Sequence, residues 1–113
     1  MKKSEIKFTI ALDKNNVPES ISWQATDAGN QPQFAKALNI ALWDKQTKST
    51  IKIDLWIKDM PVDEMKRFYI DTIGAMADSI ETATNDEKMV KDMKELCGKL
   101  AKHIVEEKRK GNT

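Results

Sequence analysis

Apolar and polar residues alternate with a period of two from Glu5 to Leu12, where Ile6, Phe8, Ile10 and Leu12 share one side and Lys7, Thr9 and Ala11 the other. That is the pattern of a half-buried strand. Asp13 to Ser20 holds Asn15, Asn16 and Pro18, all turn formers, before Ile21, Trp23 and Ala25 resume the alternation. A hairpin is predicted. Thr26 to Phe34 shows no period and carries Gly29, Asn30 and Pro32, so it is read as the longest irregular connection.

A third strand places Leu38, Ile40 and Leu42 against Ala37, Asn39, Ala41 and Trp43, and a fourth places Ile51, Ile53, Leu55 and Ile57 against Lys52, Asp54, Trp56 and Lys58. A slip of one residue would turn every aliphatic side chain to the wrong face. Pairing Leu42 with Ile53, Ile40 with Leu55 and Leu38 with Ile57 keeps that face continuous and leaves Gln46 to Ser49 as a four-residue loop.

The period then changes to that of a helix. Pro61 suits a first turn, Asp63 and Glu64 suit the positive end of the helix dipole, and Val62, Met65, Tyr69, Ile73, Met76 and Ile80 form a stripe as far as about Ala83. Thr84 and Glu87 have the spacing of a capping box and open a second helix with the stripe Met89, Met93, Leu96, Leu100 and Ile104. Residues 105–113, rich in charge, are read as a frayed tail. The expectation is an α+β chain of order ββββαα: residues 1–113 as one domain, a four-stranded antiparallel sheet with two helices on one face.

Charge narrows the function classes. Nineteen basic residues oppose eighteen acidic ones for a net charge of +1, with the signs interspersed, so no broad field draws nucleic acid or anionic lipid. The same near-neutrality does little to oppose self-association, and a homo-oligomer is among the expectations. The N-terminal residues lack the apolar stretch of a signal peptide and no run approaches a membrane span, which gives a cytoplasmic address as the default.

Candidate chemistry is sparse. His103 and Cys97 are the only residues of their kinds, six positions apart on one predicted helix and too far displaced to act as a dyad. One Cys and one His do not make a structural zinc site, the pairs Asp59/Asp63 and Asp71/Asp78 lack the spacing of a calcium loop, and the four glycines are isolated rather than gathered in a phosphate loop. We expect no catalytic residue, no cofactor and no metal. The informative feature is the reverse face of the second hairpin, where Trp43, Trp56 and Ala41 stand among Lys52, Asp54 and Lys58, the mixture of large rings and charges found at interfaces. Trp43, Trp56, Ala41, Lys52 and Asp54 are the candidate partner-binding set.

Lys3 to Ile10, Val17-Pro18-Glu19, Ile21-Ser22-Trp23, Leu42-Trp43-Asp44-Lys45, Ile53-Asp54-Leu55-Trp56 and Lys58 to Phe68 together resemble the gliding-motility GldC family of gliding Bacteroidetes-type bacteria. The resemblance spans nearly the whole chain up to the second helix. It implies a non-enzymatic accessory role in gliding motility and the type IX secretion apparatus, beside the membrane lipoprotein GldB, and a place peripheral to the inner membrane. A looser likeness in element order is to the export chaperone SecB, which implies an oligomer that holds unfolded clients.

Overall fold

The computed structural model describes residues 2–111, which divide into two compact units, one ending at Met60 and one beginning at Pro61. The first is all β. Strands β1 (Ile6–Leu12) and β2 (Pro18–Ala25) form the predicted hairpin, with Ile10 opposite Ile21 and Phe8 opposite Trp23. Its turn is built by Asp13, whose carboxylate accepts the N–H groups of Asn15 and Val17 at 2.8 and 3.0 Å, while Asn16 takes the left-handed conformation asparagine tolerates. The register slips between Ala11 and Leu12, so Glu19 is an extra residue in β2.

The single four-stranded sheet expected from the alternation is not what forms. Within the stretch read as irregular, Thr26–Ala28 make one 3-10 turn closed by Gly29 at φ 80°, and Gln33–Ala35 form a short strand, β3. β3 pairs with β2, Ala35 lying opposite Ile21, and completes a three-stranded sheet of order β1-β2-β3. Past Lys36 the chain leaves that sheet: β4 (Ala37–Trp43) pairs with β5 (Thr50–Trp56) in a separate two-stranded sheet. Three residues beside Pro32 are too few to show a period, and Phe34 lies on the same side as the polar Ser22, which hides β3 from pattern reading.

The β4–β5 register also differs from the expected one. Leu42 faces Ile51, Ile40 faces Ile53 and Leu38 faces Leu55, a shift of two residues. A shift of two preserves every side chain's face, so the hydrophobic pattern does not discriminate between the alternatives. The loop decides. Asp44 N–H donates to the Ser49 carbonyl at 2.9 Å, and Asp44 Oδ2 accepts the N–H groups of Gln46 and Thr47 together with the Thr47 hydroxyl. The four-residue loop is therefore Lys45 to Lys48.

Ile21 is buried at the centre of the three-stranded sheet, 1% exposed. The two sheets are joined at Lys58, whose N–H donates to the Pro18 carbonyl at 3.0 Å.

The second unit is a pair of helices, α1 (Val62–Thr84) and α2 (Glu87–Gly111). Pro61, expected within the first turn, is instead the extended N-cap of α1, while Asp63 and Glu64 lie in the first turn as expected. Asn85 ends α1 in the left-handed region and Asp86 starts α2 by accepting the Met89 N–H at 3.1 Å. The N-cap is thus Asp86 rather than Thr84, whose hydroxyl is instead donated to the Ile80 carbonyl. The helices run antiparallel, since Lys66 meets Glu107 at 2.9 Å and Lys94 lies near Asp78 and Glu81.

Ala77 and Val90 are buried, and Val90, Met93, Cys97, Leu100 and Ile104 mark the inward seam of α2 at spacings of three and four. Met89 and Leu96, expected in that stripe, flank it and are exposed. The frayed tail expected from residue 105 is helical to Gly111; Lys108, Arg109 and Lys110 complement the negative helix end, and Lys66 tethers Glu107. Asn112 and Thr113 lie outside the described residues.

Candidate partner-binding face

Successive β side chains point to opposite faces, so the observed register sorts the second hairpin without ambiguity. Leu38, Ile40, Leu42, Ile51, Ile53 and Leu55 share one side. Ala37, Asn39, Ala41, Trp43, Thr50, Lys52, Asp54 and Trp56 share the other. All five candidate residues therefore stand on one face. Their spacing changes with the register: Trp43 is level with Thr50 and Trp56 with Ala37, which puts the two indoles at opposite ends of the hairpin, about 20 Å apart along the strands at ~3.3 Å per residue.

Trp43 is 70% exposed and Trp56 52% exposed. Between them lie Ala41, Lys52 and Asp54, with Lys52 Nζ 3.1 Å from Asp54 Oδ2. Asp54 Oδ1 is covered and has no hydrogen-bond partner among the described residues. The aliphatic side is not closed either, for Leu42, Ile51 and Ile53 are each exposed.

The loop beyond Trp43 is rigidified by Asp44. Hydrogen bonds from the Thr47 N–H and hydroxyl, and from the Gln46 N–H, hold the Asp44 carboxyl below its ordinary range. At the other end of β5, Lys58 Nζ lies 3.2 Å from Asp13 and 3.3 Å from Glu19. This cluster escaped the sequence reading because its members are 39 and 45 residues apart and the bulge aims Glu19.

The residues weighed for chemistry are dispersed. His103 Nε2 lies 3.5 Å from Glu107 Oε1, and Cys97 Sγ lies 3.7 Å from the Ile70 carbonyl in the helical seam. Met65, Tyr69, Ile73, Leu100 and His103 border an open groove of about 300 Å³ between α1 and α2. Among the described residues no three His, Cys, Asp or Glu side chains gather where they could hold a metal ion, and no helix is long and apolar enough to cross a membrane.

No curated protein and no solved structure matches the chain. A family model, described as gliding motility-associated protein GldC-like, matches residues 18–106, from the first residue of β2 to near the end of α2. That match takes in Trp43 and Trp56, the Asp44 loop, the Lys58 junction and the helical seam, and well over half of the chain: the protein belongs to the GldC-like family of gliding motility-associated proteins.

Proposed function

We propose that this chain is a non-enzymatic accessory protein of the gliding and type IX secretion machinery, and that it acts by holding another protein on the tryptophan-bearing face of the β4–β5 hairpin. The observation that carries this reading is the joint exposure of Trp43 and Trp56 on one face with Ala41, Lys52 and Asp54. Large rings with a polar tip are the side chains that most often anchor interfaces, and charges between them set register. The partner we favour is the lipoprotein GldB or a neighbouring component of that machinery, met from the cytoplasmic side at the inner membrane.

The test is affinity purification from the native cell with the wild-type chain and with the double variant Trp43→Ser/Trp56→Ser. Loss of two exposed anchors should weaken capture by about thirtyfold or more while leaving thermal unfolding nearly unchanged. Equal recovery of the same partner by both proteins would remove this face from the account. Slowed aggregation of an unfolded client would point instead to a chaperone of the SecB kind.

A further inference from the structure

The outer edge of β5 is the surface that says most about what covers it. Ile57 N–H donates to the Lys36 carbonyl and Asp44 N–H to the Ser49 carbonyl, both at 2.9 Å, so the odd-numbered residues of β5 bond to β4. Even-numbered residues point their N–H and C=O groups the other way, as Lys58 does toward Pro18. Lys52 and Asp54 thus offer backbone donors and acceptors along an edge that no strand among the described residues occupies.

We propose that this edge pairs with the same edge of a second copy of the chain, antiparallel and two-fold symmetric about Ile53. In that register Ile53 faces the partner's Ile53, Ile51 faces the partner's Leu55, and Lys52 faces the partner's Asp54 while Asp54 faces the partner's Lys52. The backbone phase fits, because Lys52 and Asp54 are the outward-bonding residues and each opposes the other. The side-chain faces fit too: aliphatic residues continue on one side and the tryptophan face on the other.

Charge selects this register over its neighbours. Centring the pair on Lys52 or on Asp54 would set like charges directly opposite, which is destabilising. The product is a four-stranded antiparallel sheet, a size that is stable where a lone two-stranded hairpin is marginal. A net charge of +1 per chain offers little long-range repulsion between copies. The pairing is isologous, so it closes at two copies. It goes beyond the partner-binding reading and does not depend on it.

Sedimentation of the full chain across concentration tests the proposal. The wild type should pass from 12.9 kDa to twice that mass. Lys52→Glu alone and Asp54→Lys alone each set two like-charge pairs across the interface and should raise the dimer Kd on the order of tenfold. An equimolar mixture of the two variants restores opposite charges at both positions and should recover the dimer. Circular dichroism of each variant establishes that its fold is retained. A wild type that stays a monomer up to about 1 mM, where even weak specific pairs form, overturns the proposal and leaves the edge to an extended segment of a different protein. Single variants that associate as the wild type does, or a mixture that fails to recover, overturn it equally.

Discussion

Lys58 joins two sheets through one residue. Its N–H is fixed by the Pro18 carbonyl, and its ammonium lies between Asp13 and Glu19. Hydrogen bonds from the Val17 and Asn15 N–H groups, assisted by Lys58, hold the Asp13 carboxyl below its ordinary value of 3.8, while the hydrogen bonds to Asp13 and Glu19 hold the Lys58 ammonium above its ordinary 10.5. A lowered carboxylate stabilises the fold above its unfolded value and loses that contribution as pH falls through the folded one. A raised ammonium stabilises below its unfolded value and loses that contribution as pH rises through the folded one. Lys58→Met should therefore lower Tm at about pH 7, and the gap from wild type should narrow both below the Asp13 range and above the Lys58 range. Thermal unfolding scanned against pH checks this; a gap constant across the whole range would show that the side chain acts through packing alone.

Among the elements, the helical hairpin offers a test of how its seam is packed. A Cβ built on Gly74 would meet Cys97 Sγ at 3.9 Å, an ordinary contact, and the residue lies well inside α1. Gly74→Ala should accordingly stabilise the protein by about 0.5–1 kcal/mol, measured by denaturant unfolding; a loss of stability would mean the seam has no room at this level. The helices were legible because their stripes run for about four to five turns, and α1 begins within a residue of its expected start. Their junction was not, since Thr84, Asn85 and Asp86 all suit a helix boundary and only the hydrogen bond to Met89 decides among them. In the β region the faces of every long strand were legible from alternation, and the candidate face with them. Register was not, because the Asp44 loop fixes it through side-chain hydrogen bonds that hydrophobic matching ignores.

At the scale of the whole molecule, nineteen basic and eighteen acidic residues give a pI near 7.8. Colloidal repulsion vanishes there, so solubility should pass through a minimum around pH 7.8 and rise on either side. Precipitation assayed across pH at fixed ionic strength measures it, and a curve without a minimum would indicate that exposed apolar surface rather than charge governs association. The family was legible from long blocks of sequence and is upheld by the match over residues 18–106. Sheet number was beyond the pattern, for the departure from one sheet to the next takes place at Lys36, a residue with no turn signature.

The Glu19 bulge and the Lys58 ion pairs also bear on the order in which the β unit assembles. β1 with β2, β4 with β5, and α1 with α2 are each neighbours in sequence, so their loops close quickly and at small entropic cost. The bond from Lys58 to Asp13 spans 45 residues. On loop entropy alone it is expected to close after the hairpins and to be among the first contacts to open.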